Sequence, residues 1–222
     1  MKTITIKLDL SKDAWNWWEA CNKTSHGVNW REKISNELQE KIVGKNQQTA
    51  FDFLIPYLEN YYKDKNIEIF IKTLQIEFNN KKNKLFEIME RITANKIYRD
   101  DFTCFITSFP RFPYDYKEGY IWLSSKRPAD YQLSIFIHEL LHFQFFAYYD
   151  EDIWSLVTPE QFARIKESVT VILNDEFEEI TTVQDDGYEI DRNVRSKLLP
   201  EWRKHKNFKE LLNFAVKRIK QN

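Results

Sequence analysis

Residues 131–149 read YQLSIFIHELLHFQFFAYY, and the reading of this stretch governs the rest of the chain. It contains no Gly or Pro, and Glu139 is its only formally charged side chain. Such a segment is expected to be a helix that is apolar nearly all round and therefore buried on most faces. Within it stands His138-Glu139-Leu140-Leu141-His142, an HExxH pattern. On a helix, residues four apart project from one face a turn apart, so both imidazoles can reach a single tetrahedral metal ion. Glu139 lies beside the first histidine, where its carboxylate can meet a metal-bound water instead of the metal. A buried carboxylate without a partner is costly, and a metal with its water removes that cost. The plainer alternative is a pair of satisfied core histidines, with Glu139 matched to a buried Arg. A di-iron four-helix site would need a second Glu-x-x-His element, and the chain has none.

Working outward toward the N-terminus, Phe102–Phe109 (FTCFITSF) is rich in aromatic and β-branched residues. Tyr120–Leu123 (YIWL) follows the turn residues Lys117, Glu118 and Gly119. These read as two strands joined by a long proline-bearing loop. Farther back, residues 29–97 are helical in pattern with short polar breaks. Leu54, Leu58 and Tyr61 mark one helix, Ile67, Ile71, Leu74 and Phe78 a second, and Leu85, Ile88 and Ile92 a third. Ile4, Ile6, Leu8 and Leu10 alternate as on a half-buried strand, after which Ser11 is expected to cap a helical stretch carrying Trp15, Trp17 and Trp18. Beyond residue 130 the chain reads as helix to its end, with a loop near Asp185 to Tyr188.

Composition agrees with a folded, helix-rich protein. Of 222 residues, 42% are hydrophobic, and 17 Phe, 11 Tyr and 7 Trp suffice for a sizeable core, which excludes a disordered chain. Only 4 Gly and 6 Pro argue against linker-rich and turn-rich all-β architectures. Lys plus Arg is 33 against 34 Asp plus Glu, so no nucleic-acid partner is expected. Cys21 and Cys104 make neither a disulfide framework nor a zinc-ribbon spacing. The first ten residues lack a continuous apolar run, and no stretch approaches the roughly 20 apolar residues of a membrane span. A cytoplasmic protein with no membrane partner is the expectation. Residues 150–191 hold 13 acidic against 2 basic side chains, and residues 192–222 hold 10 basic against 2 acidic, which reads as two solvated surfaces attracting each other.

The HExxH segment resembles the zinc metallopeptidases that carry this motif. The metzincin branch requires a Gly and a third His where this chain has Phe145 and Tyr148, so that branch is excluded. The chain is similar instead to the gluzincins, whose third ligand is a Glu on a later helix. Thr158-Pro159-Glu160-Gln161 opens such a helix, with Thr158 as N-cap, Pro159 in the first turn and Gln161 completing a capping box. Glu167 then begins an uncharged run, and its own helical stripe continues through Thr170, Val171 and Asn174, as that of a third ligand would. The alternative for Glu167 is an ordinary helical ion pair with Arg164. Glu160, Asp175, Glu176 and Glu178 sit in more polar company. Many gluzincins carry an Asp four residues after the ligand Glu, but this chain has Val171 there, leaving Thr170 or Asn174 to orient a histidine. The resemblance spans Tyr120 to Asn174, about a quarter of the chain. No family is matched by residues 1–100.

The resemblance implies one zinc per chain held by His138, His142 and Glu167, with Glu139 as general base in the hydrolysis of a peptide or protein substrate. It also implies that the strand Tyr120, Ile121, Trp122 and Leu123 offers an open edge to an extended peptide, the alternative being an ordinary core strand. A second transition-state donor is expected from Tyr188, in the loop around Gly187, in preference to His205 among its basic neighbours. The expected fold is α+β, mainly α: a small antiparallel sheet next to a buried HExxH helix, in a zincin-like core with an N-terminal helical scaffold. One domain over residues 1–222 is expected, with residues 1–100 as scaffold, 101–190 as the metal-site core and 191–222 as basic C-terminal helices. Two other functions fit the same residues: a non-catalytic metal- or partner-binding helical protein, and a regulatory protease dedicated to one protein.

Overall fold

The computed structural model describes residues 2–24, 28–63 and 65–221, and it is mainly helical with one small sheet. Alternation at the N-terminus forms β1 (Thr3–Lys7), with Ile4 and Ile6 turned inward. The strand ends before Leu8 and Leu10 because Asp9, not Ser11, caps α1 (Leu10–Asn22), accepting from Lys12 N at 3.1 Å. Three helices follow: α2 (Asn36–Ile42), α3 (Gln47–Lys63) and α4 (Ile67–Thr93). The two helices expected across residues 67–92 are one helix of 27 residues. Asn79 to Lys84 interrupts the apolar pattern but holds neither Gly nor Pro, so the backbone continues through a solvated stretch.

The sheet comprises β1, β2 (Asp101–Thr107), β3 (Tyr114–Asp115) and β4 (Tyr120–Ser124), in the order β1-β2-β4-β3. It is mixed, not antiparallel: β1 pairs parallel with β2 and β2 parallel with β4, and only the short β3 runs antiparallel to β4. Residue pattern reports which face of a strand is buried but not its direction. Here the long loop after β2 doubles back through β3, so β4 starts again at the same end as β2. As a result β4 is an inner strand. Tyr114 lies opposite Ile121, Asp115 opposite Tyr120, and Trp122 N donates to Pro113 O at 3.0 Å. The expected open edge along Tyr120, Ile121, Trp122 and Leu123 is therefore covered over its first three residues, and Ile121, Trp122 and Leu123 are core side chains.

The chain divides into two compact units that interleave in sequence, with the first of three boundaries inside the polar stretch of α4. The first is Met1–Asn79 with Asp101–Pro128, and holds the sheet. Its core includes a fully buried carboxylate, Asp13, which accepts from Tyr62 Oη at 2.7 Å, Ser108 Oγ at 2.9 Å and Thr107 Oγ1 at 2.5 Å. Burial pushes its pKa up despite these donors.

The second unit is Asn80–Asp100 with Ala129–Asn222. It contains α5 (Ala129–Tyr148), α6 (Asp150–Trp154), α7 (Pro159–Ser168), α8 (Leu173–Glu176), α9 (Arg192–His205) and α10 (Phe208–Lys220), with 3-10 turns at Val169–Ile172 and Glu189–Asp191. Helix α5 is buried on most faces, as its composition requires: Leu133, Phe136, Ile137, Leu140, Leu141, Phe143 and Phe145 all lie in the core. Leu198 and Trp202 of α9 and Leu211, Ala215 and Ile219 of α10 complete it. The basic C-terminal helices do meet the acidic segment: Arg203 holds Asp175 at 2.6 Å and Lys206 holds Glu176. No helix among the described residues is long and apolar enough to cross a membrane.

Candidate metal centre

Every residue of the centre belongs to the second unit. Helix α5 presents His138 and His142 from one face, their rings 4.4 Å apart between centroids and tilted 78° to each other. Helix α7 supplies the carboxylate. Its start is set by a reciprocal capping box, in which Thr158 Oγ1 accepts from Gln161 N at 3.2 Å and Gln161 Oε1 from Thr158 N at 3.1 Å. Two and a half turns later Glu167 places Oε2 3.4 Å from His138 Nε2 and Oε1 3.4 Å from His142 Nε2. The ligand atoms of the three residues lie within 4.8 Å of one another, a group that can hold a metal ion. A tetrahedral ion with bonds of ~2.0–2.1 Å sets its ligand atoms ~3.3–3.4 Å apart, and each histidine has one Glu167 oxygen at that separation, Oε2 for His138 and Oε1 for His142. His142 and Glu167 are buried, while His138 keeps 23% of its side chain exposed and opens the group to solvent.

The group that orients His138 is Asp185. Its Oδ2 lies 2.7 Å from His138 Nδ1, which leaves Nε2 facing Glu167. Asp185 is held in turn from several sides. Asn174 Nδ2 donates to its carbonyl at 3.1 Å, and its own N–H donates to Asn174 Oδ1 at 2.6 Å. Arg195, from the first turn of α9, donates through Nη2 to Asp185 Oδ1 at 3.0 Å and to the Asp185 carbonyl. Through Nη1 it reaches Thr170 Oγ1 at 2.7 Å and the Glu167 carbonyl at 3.0 Å. One guanidinium thus ties the loop carrying Asp185 to the end of the helix carrying Glu167. Gly187 makes room for it: at φ +63° its backbone is left-handed, and a Cβ there would stand 2.7 Å from the Arg195 guanidinium carbon.

Charge is densely matched here. Burial pushes the Glu139 carboxyl up to about 7, against the pull of His138 and Lys166, and its Oε2 is buried without a hydrogen-bond partner. Burial takes His142 down to about 3, with the Lys166 ammonium adding to the effect. For His138 burial also works downward, but the Asp185 carboxylate and its hydrogen bond outweigh it and hold the imidazole well above the ordinary histidine value. Glu167 and Asp185 lie below the ordinary carboxylate range, because charge and hydrogen bonds outweigh burial: the His142 imidazole and the Lys166 ammonium for the first, His138 and Arg195 for the second.

The structure brings His138, His142, Glu139 and Glu167 together, and Arg164 is not the helical partner of Glu167: it reaches Asp191 at 3.0 Å. Asp175 and Glu176 are engaged with Arg203 and Lys206, and Glu160 and Glu178 are exposed. Thr170 and Asn174 act one step farther out than expected, positioning Arg195 and Asp185 instead of touching a histidine. The loop aims a carboxylate, Asp185, at the site, while Tyr188 stands at the entry to the 3-10 turn with its carbonyl accepting from Asp191 N. His205 is on the surface near Glu201 and Glu210.

Sequence reading passed over Asp185, Arg195 and Lys166. A usable signal existed for the last two. Arg195 lies on the stripe of Leu198 and Trp202, and Lys166 on the stripe of Phe162 and Val169, so each is a charge on an apolar face, as Glu167 is. For Asp185 the signal was Gly187, two residues on. Compared with protein-family models, curated proteins and solved structures, the chain matches none.

Proposed function

We propose that this protein is a zinc-dependent peptidase of gluzincin-like kind, with His138, His142 and Glu167 holding the ion. The observation that carries this reading is the convergence of the three ligand groups beside a carboxylate, Glu139, whose Oε2 is buried without a partner. When bound, zinc supplies Lewis acidity and lowers the pKa of water toward about 7. The chain's own residues do the rest. Asp185 accepts the Nδ1 proton of His138, which keeps the Nε2 lone pair directed at the ion. Glu139 takes the proton of the attacking water and returns it to the leaving amine. An extended peptide or protein segment approaches from the side on which His138 is exposed.

The test is metal content by mass spectrometry together with turnover on a peptide library. Wild type is expected to carry about one zinc per chain and His142→Ala none. Glu139→Gln is expected to keep the zinc and lose hydrolysis, and a Glu139→Gln variant that still cleaves peptides refutes the assignment. One observation favours a second reading. Lys166 pairs with Glu167 and Arg195 with Asp185, so the two carboxylates already have cations. A non-catalytic protein stabilised by this ion cluster would fold without metal and take up no zinc when it is supplied. A protease dedicated to one protein partner would instead bind zinc and fail on generic peptides.

A further inference from the structure

We propose that Lys166 is a positioning residue that reserves one oxygen of Glu167 for the metal and restrains how tightly the centre holds it; the proposal rests on the metal-centre reading above. Lys166 and Glu167 are consecutive on α7, and consecutive helical side chains project about 100° apart. Lys166 nevertheless has only 7% of its side chain exposed, and its Nζ contacts Glu167 Oε1. A lysine of no consequence would run its flexible stem to solvent, since burying an ammonium is expensive unless it is paired.

The pairing divides the two carboxylate oxygens. Oε1 receives the ammonium and faces His142, while Oε2 faces His138. A carboxylate with both oxygens free can chelate an ion through both. With Oε1 committed to Lys166, Glu167 is left to bind through Oε2, and a tetrahedral ion keeps its fourth position for water or substrate. A cation that shares a carboxylate with a dication opposes its binding. Lys166 therefore trades affinity for an open position.

The experiment measures zinc affinity of the full chain by competition with a chromophoric chelator, and the visible absorption of the cobalt(II)-loaded protein. Lys166→Met, folded by circular dichroism, is expected to bind zinc about tenfold more tightly than wild type as the opposing charge is removed. Its cobalt band is expected to weaken as the carboxylate becomes bidentate and coordination rises above four. Lys166→Arg, which keeps the charge, should stay within about twofold of wild type. Unchanged or weaker zinc binding in folded Lys166→Met overturns the proposal. If Lys166→Met does not fold, wild type decides: an intense four-coordinate cobalt band supports the proposal and a weak five- or six-coordinate one overturns it. Wild type that takes up neither metal removes the centre itself, and that outcome is distinct from a failure of Lys166 alone.

Discussion

Replacing Asp185 by Asn tests the organisation of the centre with the least change in shape. The carboxylate holds His138 Nδ1 through Oδ2 at 2.7 Å and Arg195 Nη2 through Oδ1 at 3.0 Å. An amide can satisfy one of them. If the Asn oxygen faces His138, the amide N–H groups point at the Arg195 guanidinium, donor against donor. If the oxygen faces Arg195, the amide donates to Nδ1, and the imidazole must carry its proton on Nε2, the atom needed for the metal. Either way the site is disfavoured. Loss of a carboxylate behind a metal-binding histidine typically costs 10–100-fold in affinity, about 1.4–2.8 kcal/mol. Chelator competition with zinc at pH 7 measures this directly, with Asp186→Asn as the exposed neighbouring control. Zinc affinity of folded Asp185→Asn within twofold of wild type would refute the role given to Asp185.

Two further outcomes follow from the same geometry. Gly187→Ala places a methyl group 2.7 Å from Arg195 and in a left-handed backbone at φ +63°. It should cost about 1–3 kcal/mol in chemical denaturation and also weaken zinc binding, because the displaced guanidinium releases Asp185. Wild-type stability in this variant would show that the loop yields without cost. The pH dependence of the chelator-treated protein has a definite sign. His138 and Glu139 are raised in the folded state, so their contributions are complete below their ordinary values and are lost as pH rises through the folded ones, about 7 for Glu139. Glu167 and Asp185 are lowered, so theirs are lost as pH falls below roughly 4. His142 is lowered to about 3, so its contribution is complete above the ordinary histidine value and shrinks as pH falls toward 3, offsetting the Glu139 loss below about pH 6.5. Melting temperature without metal should therefore peak between about pH 4.5 and 6.5 and fall across neutrality, while the rise produced by zinc grows with pH as His138 is freed of its proton. A melting temperature that climbs from pH 6 to 8 without metal would contradict these directions.

Local pattern carried much of the protein. The apolar girdle of Tyr131–Tyr149 implies a buried helix because no exposed face is available to it, and a four-residue spacing within a helix places His138 and His142 together whatever surrounds them. Thr158 and Gln161 mark the start of α7 through backbone N–H groups within their own turn, so Glu167 and its buried stripe could be recognised from neighbours alone. Strand direction could not. Alternation in FTCFITSF is the same whether its partner runs with it or against it, and the return of the loop through Tyr114 and Asp115 decided that β4 lies inside the sheet. The polar run at Asn79–Lys84 likewise lowers burial without breaking backbone hydrogen bonds, so one helix looked like two.

The identity of the group behind His138 depended wholly on tertiary structure. Asp185 is 47 residues from that histidine, and it is held by an arginine ten residues farther on and by an asparagine eleven residues before it. None of these pairs has a characteristic spacing, since each depends on where a loop returns. Residue types and local periodicity therefore determined most of the helices and pointed to His138 and His142, one turn apart, and to Glu167 on its own capped helix. The fold alone decided which carboxylate orients a histidine, because charges separated in sequence interact only once the chain has closed around them; Lys166 stands beside Glu167 in the chain, and the fold decided only that its ammonium is buried against that carboxylate.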